Sequence, residues 1–288
     1  AKKHYSKLIK INSSKNIYFF SRRNLNIKNQ LNKIIDIKKF NPEFIYICVE
    51  TSKHFQYLKK FNKLFKNKII YVEKPLFQKD LNINKINNNI YVGYNLRFHP
   101  IINYIKKFII NKKIYSVNIE ALSYLPNWRK NTKYFNSYSA NKNKGGGVLL
   151  DLSHELDYLL LFFKEIKINF IKNSKISDLK INSDDFLFLN ASNIHIKNIN
   201  LSLSYFSLFP KRIIEIYGKN FSLEADLIKN KINISSNKQK KIYTFKKEDC
   251  DTYNILNNNL LKKKFTMFAN YKEGAQVMKL IDRIRKFK

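Results

Sequence analysis

The chain of 288 residues holds six glycines, five prolines, two cysteines, one tryptophan and only 21 acidic residues. Each scarcity excludes something. Cys48 and Cys250 lie far apart and match no metal-ligand spacing, which argues against a disulfide scaffold or a cysteine-built zinc site and fits reduced thiols in the cytoplasm. No apolar run approaches about 18 residues, because the most hydrophobic stretch is broken by Asp151, His154, Glu155 and Asp157, so no membrane span is expected. No signal peptide is visible either. Arginine is also scarce: seven of the 55 basic residues are arginine, and the lysines are scattered from end to end beside abundant Asn and Ile.

That pattern bears on the formal charge of +34. Charge of this size alone would point to nucleic acid or an anionic membrane. A nucleic-acid footprint, however, clusters on one element and favours arginine, whereas joint enrichment of Lys, Asn and Ile is what an A/T-biased coding sequence produces. We therefore expect no specific nucleic-acid partner and no membrane association. The 44% hydrophobic and 15% aromatic content supports a folded core, and the length exceeds one average domain.

Two rhythms divide the chain. Up to residue 113, apolar runs at 17–21, 44–49, 69–72 and 90–94 alternate with helical stretches at 4–11, around 31–37, and from 52 onward, where Phe55, Leu58, Phe61 and Phe65 recur and Ser52 is available as N-cap. Continuous apolar strands separated by helices mark a parallel sheet covered on both faces, and hence a doubly wound α/β domain at 1–113. Residues 114–288 offer successive long strand candidates with turn punctuation, which predict an α+β domain built on an open, largely antiparallel sheet. A last helix at 271–285 is free to pack back on the first domain.

In a doubly wound sheet, ligands collect at the carboxyl ends of the strands. Those ends carry Ser21, Arg22 and Arg23; Glu50 and Thr51, with His54 soon after; Glu73, Lys74 and Pro75; and Asn95 and Arg97. A second concentration of chemistry is GGGVLLDLSHELDYLLLFF at 145–163, which gathers three of the six glycines. On one helix turning about 100° per residue, Gly147, Asp151, His154 and Tyr158 fall within about 60° of one another. Glycines at its start would let a backbone or cofactor approach and leave amide donors exposed. An ordinary imidazole titrates near neutrality, which suits a general acid/base, so His154 is the proton-transfer candidate, with Asp151 placed to orient it. Asp157 reads as a structural acid, and His99 and His195 have no informative context.

VEKPL, GYNLRFHP one strand later, GGG followed by D, HE and D, and the opening AKKHYSKL stand in an order that resembles the glucose-fructose oxidoreductase / inositol dehydrogenase family (Gfo/Idh/MocA). The resemblance covers essentially the whole chain, including RIIEIYGKNFSLEAD and YKEGAQVMKLI. It implies a two-domain, nicotinamide-dependent oxidoreductase acting on a sugar or nucleotide-linked sugar, assembled as a homodimer or homotetramer. SYLPNWRKNTKYFNSYSA further resembles members of bacterial surface-glycan pathways. By this analogy Lys74 stabilises the developing alkoxide and His154 moves the proton, with Asp151 tuning it. Family members often place the acid four positions before the histidine, whereas Asp151 stands three before it.

The same resemblance makes Ala1 the third small residue of a glycine fingerprint, and Ser21, Arg22 and Arg23 the residues after the second strand. A hydroxyl and two guanidinium forks there favour a 2′-phosphate, hence NADP(H) over NAD(H). Glu50, Thr51, His54, Glu73, Lys74 and Arg97 are the further cofactor candidates. Asn95, Trp128, Arg129 and Tyr158 are the substrate candidates, and no metal is expected. Two alternatives stay open: a catalytically impaired homologue acting as a binding protein, and an imine or tetrapyrrole reductase on the same fold. With the fingerprint only partly in view, the chain as given is expected to bind cofactor weakly. Fluorescence titration with NADPH measures this, and tight stoichiometric binding would contradict it.

Overall fold

The computed structural model describes residues 2–11, 17–21, 29–31, 33–129, 132–237 and 239–287. Helix α1 (Lys2–Ile11) is followed by strands β1 (Phe19–Phe20) and β2 (Gln30–Leu31), the short helix α2 (Ile37–Phe40), and β3 (Phe44–Ile47). Then come α3 (His54–Leu64), β4 (Ile69–Val72), β5 (Asn89–Val92) and α4 (Pro100–Phe108). β3, β4 and β5 pair in parallel in a four-stranded sheet, as the apolar runs predict. All four residues of β4 are buried, which is why that strand shows no alternation. β1 and β2 form a separate parallel pair.

The second sheet has eight strands. They are β6 (Ile114–Tyr124), β7 (Lys167–Ser174), β8 (Phe186–Ser192), β9 (Asn198–Ser204), β10 (Phe206–Gly218), β11 (Phe221–Asp226), β12 (Lys231–Ser236) and β13 (Lys240–Thr244), with α5 (Val148–Asp151) and α6 (His154–Phe163) between β6 and β7. Their spatial order is β13-β12-β11-β10-β6-β9-β8-β7. Every neighbouring pair is antiparallel except β6 with β9, which is parallel. In β8 and β9 buried residues alternate with half-buried ones, the signature of a sheet with one face on the core. The chain ends with α7 (Thr252–Leu261), β14 (Ala269–Asn270) and α8 (Tyr271–Lys286). β14 adds an antiparallel edge to β5. The C-terminal return to the first sheet thus includes a strand as well as the expected last helix.

Several local expectations differ from the structure. Ser52 does not cap α3: residues 51–53 form a 3-10 turn and the helix starts at His54. The stretch 145–163 is not one helix, because the chain turns at Leu152 and Ser153 between α5 and α6, where Leu152 leaves helical angles. His99, which had no context in the sequence, is the N-cap of α4, its Nδ1 accepting the Ile101 N–H at 3.2 Å ahead of Pro100.

α6 carries two fully buried acids. Glu155 accepts from Arg212 Nε at 2.8 Å, with Arg212 on β10. Asp157 is gripped by Arg97, from the turn after β5, through Nη2 at 2.7 Å and Nε at 2.9 Å. Arg97 Nη1 also donates to Glu273 at 2.8 Å, in the first turn of α8, whose capping box is closed by Asn270 and Glu273. One guanidinium therefore ties the first sheet to α6 and α8. Removing one partner of a buried pair leaves a desolvated charge, at a cost of about 3–5 kcal/mol. Arg97→Met should lose stability of that order in urea unfolding, and Arg97→Met with Asp157→Leu should recover much of it; equal loss in both would refute the account.

Candidate active site

The carboxyl end of β4 is fixed from three sides. Glu73 accepts the Lys74 N–H through Oε2 at 3.2 Å and meets His4 Nε2 through Oε1 at 2.8 Å. His4, from α1, also meets Asn257 Oδ1 of α7 at 3.1 Å and is enclosed by the rings of Tyr46, Tyr71 and Tyr253. Burial raises the Glu73 pKa, but the hydrogen bond and charge of His4 outweigh it and hold the carboxyl below its ordinary value. The Lys74–Pro75 peptide is cis. The ring nitrogens of His54 lie 2.9 Å from the Pro75 carbonyl and 3.1 Å from that of Val49, and the neutral ring can donate to one of them.

His4, Cys48 and Glu73 present ligand-type atoms within 4.8 Å of one another. Both His4 nitrogens already have partners, and burial followed by the Glu73 charge pushes the Cys48 thiol up to about 12. His4 and Glu73 clamp the backbone at Lys74.

So held, the Lys74 side chain projects to α5. Its ammonium donates to the Asp151 main-chain oxygen and lies 4.0 Å from Asp151 Oδ1. Asp151 Oδ2 accepts from Tyr205 OH at 2.7 Å. Trp128 packs edge-on against the Tyr205 ring at 5.2 Å, and the Arg129 guanidinium lies over the Tyr138 ring at 5.1 Å. Tyr138 in turn faces Asp151; its pKa is raised by burial first and then by that charge. Of the residues singled out in the sequence, Lys74 therefore meets Asp151 directly, and Trp128 and Arg129 pack on the two tyrosines that face its carboxylate. Tyr205, at the bend between β9 and β10, and Tyr138, on the loop before the glycines, complete the group; neither has a spacing that would have marked it.

His154 opens α6, with the Tyr94 ring edge-on at 5.8 Å. Its Nδ1 is buried without a hydrogen-bond partner. Its pKa lies well below 6.5 because burial disfavours the imidazolium and the Lys74 and Arg212 charges act in the same direction. Asp151 is directed to Lys74 and Tyr205, and no hydrogen bond joins it to His154 among the described residues. The coupling expected from their spacing is replaced because the helix breaks between them.

The triple glycine serves the chain's own backbone. Gly146 and Gly147 donate to Asn141 O and Ser139 O at 2.9 and 3.0 Å, and Val148 to Asp184 O at 2.9 Å. A Cβ on Gly146 would stand 2.2 Å from Tyr138 O, and Gly147 sits at φ 115° with Asp184 beside it. Asp184 Oδ2 also accepts from Leu149 N–H at 2.9 Å, so the amides expected to be exposed are satisfied internally. Asp184 is the partner that sequence reading missed.

Other candidates stand elsewhere. Arg97 is committed to Asp157 and Glu273, Asn95 donates to Thr252 Oγ1 at 2.5 Å, and Tyr158 is buried against Glu155 and Arg212; burial and these contacts keep the three from Lys74. Thr51 is buried beneath Gly145, and Glu50 pairs with Lys53 at 3.0 Å. The Ser21 carbonyl accepts from Gln30 at 3.4 Å. Ala1, Arg22 and Arg23 lie outside the described residues. Two surface hollows, of about 370 and 280 Å³, lie on the outer face and edge of the eight-stranded sheet, away from Lys74.

No family model and no curated protein matches the sequence. Solved structures match over nearly its whole length. The super-repressor mutant of Gal80p from Saccharomyces cerevisiae superposes with a TM-score of 0.76 at 16% identity, covering 99% of this chain and 91% of that one. UDP-N-acetylglucosamine 3-dehydrogenase GnnA from Acidithiobacillus ferrooxidans gives 0.76 at 15%, covering 98% and 92%. An inositol dehydrogenase homolog complexed with NAD+ from Azotobacter vinelandii gives 0.70 at 12%, covering 88% and 79%. The chain has the fold of Gfo/Idh/MocA dehydrogenases, a parallel Rossmann-type sheet joined to a large, mostly antiparallel one, as the ordered motifs imply.

The histidines set a pH limit. Burial above all lowers His99 to about 4, and His54 and His154 shift in the same direction. A histidine depressed on folding contributes fully above its unfolded value of about 6.5 and loses that contribution as pH falls through its folded value. Unfolding free energy should therefore be flat above pH 7 and decline by a few kcal/mol between about pH 6.5 and 4. His99→Asn, which keeps the cap but cannot titrate, should flatten part of that slope; denaturant curves at graded pH measure it.

Proposed function

We propose that the chain is an NAD(P)-dependent oxidoreductase that interconverts a hydroxyl and a carbonyl on a sugar or nucleotide-linked sugar, in the manner of bacterial surface-glycan enzymes. The observation that supports it is the meeting of Lys74, from the end of a parallel strand, with Asp151 and His154 from the α5–α6 turn. The residues present fit a dinucleotide: Thr51 and Lys74 follow adjacent parallel strands at the edge where nucleotides bind, and His154 Nδ1 is a buried polar atom awaiting a partner.

When bound, the nicotinamide supplies a hydride acceptor or donor. With that hydride acceptor in place, the neutral His154 ring would take the proton of the substrate hydroxyl. Lys74 has three ammonium donors, and one not used by Asp151 can stabilise the alkoxide as it forms. Asp151 holds the ammonium in place, while Trp128 and Arg129 wall the substrate side. The NADP(H) preference rests on Ser21, Arg22 and Arg23 by sequence. A homodimer or homotetramer would use the outer face of the eight-stranded sheet, where Tyr217 and Ile242 are exposed.

Nicotinamide absorbance with a panel of sugars tests the reading. Lys74→Met and His154→Asn should each reduce kcat by about 10²–10⁴-fold in protein that still folds, with Lys74→Met also losing a few kcal/mol of stability because it leaves buried Asp151 without its cation. Turnover unchanged by both substitutions would refute the assigned roles.

A further inference from the structure

Arg129 differs from the other arginines. Arg97 and Arg212 are locked to buried carboxylates. Arg283 and Arg285 donate to the main-chain oxygens of Ile166 and Gln78 at 3.4 and 2.8 Å. Among the described arginines, Arg129 alone has neither a carboxylate nor a carbonyl partner for its guanidinium, which rests on the Tyr138 ring. A guanidinium stacked on an aromatic face is held in one plane while its N–H fork stays available, the geometry that takes a phosphate or carboxylate bidentately.

Its position is equally specific. Tyr138 beneath it faces Asp151, and Trp128 next to it packs on Tyr205, whose hydroxyl donates to Asp151. The pair 128–129 therefore caps the carboxylate that anchors Lys74. The charge is not redundant with the general excess of lysine, because a lysine ammonium offers a point charge and cannot match a planar oxyanion.

We infer that the substrate carries an oxyanion, phosphate or carboxylate, away from its reacting carbon, and that Arg129 on Tyr138 is the residue that binds it. The inference rests on the reading that a sugar occupies the space beside Lys74 and His154. It narrows that substrate to anionic sugars and makes Arg129 a determinant of specificity, acting on KM and leaving kcat to Lys74 and His154.

Calorimetric titration of the full chain tests this at about 0.15 M salt, where charges are screened beyond about 8 Å. Three probes are compared: N-acetylglucosamine, glucuronate and UDP-N-acetylglucosamine. At least one anionic probe should bind about 10–100-fold more tightly than the neutral sugar, Arg129→Met should abolish the difference, and Arg129→Lys should restore only part of it. Preference for the UDP-linked sugar assigns the anion as diphosphate, preference for glucuronate as carboxylate, and either supports the inference. The substitution removes one charge from a total of +34, so an anion preference that survives Arg129→Met comes from the general field and overturns the inference. Equal binding of all three overturns it while leaving the sugar site standing; absence of binding by all three overturns both.

Discussion

Three buried carboxylates on one short segment govern this structure. Asp151, Glu155 and Asp157 are 4%, 0% and 2% exposed, and each needs a cation at contact distance because an unpaired buried charge costs several kcal/mol. The cations come from three places: Lys74 at the end of β4, Arg212 on β10, and Arg97 after β5. Two belong to the parallel sheet and one to the large sheet. The α5–α6 segment is thereby an electrostatic rivet between the two, and the position of Lys74 beside the α6 start is a consequence of that pairing.

Seen this way, the break between α5 and α6 has a physical reason. A continuous helix would set Asp151 and His154 on one stripe, as their spacing predicts. Asp151 instead answers to Lys74 and Tyr205, while Glu155 and Asp157 are claimed by arginines on different elements. The turn at Leu152 and Ser153, where Leu152 leaves helical angles, separates the competing demands. Long-range pairing overrides local periodicity here, and local periodicity is what a single sequence displays.

The same distinction explains what was readable in advance. β3, β4, β5 and α8 were legible because their signals are local: apolar runs and helical repeats. Lys74 and Asp151 stood out in the sequence by their place at a strand end and after the glycines, and Trp128 and Arg129 by the scarcity of tryptophan and arginine. Tyr205, Tyr138, Asp184 and the His4–Glu73 clamp were not, since each gains meaning only from a partner that the fold brings close, 54 residues away for Tyr205, 35 for Asp184 and 69 for His4. The function of the glycines was half visible: close approach was correct, but the approaching groups are Tyr138, Ser139 and Asp184 of the chain itself.

Backbone similarity does not choose between catalysis and mere binding, since the same fold serves a protein named as a repressor and proteins named as dehydrogenases, with equal TM-scores of 0.76 for the first and for GnnA. The side chains bear on the proposed reading. His154 is buried, neutral and lacks a partner at Nδ1, in a position that an apolar residue would fill without the desolvation cost of about 1–3 kcal/mol. Burial first, and then the Lys74 charge beside it, keep the ring unprotonated. A cation beside a neutral base is a poor way to stabilise a fold and a suitable way to remove a proton from a hydroxyl while holding the oxygen that remains.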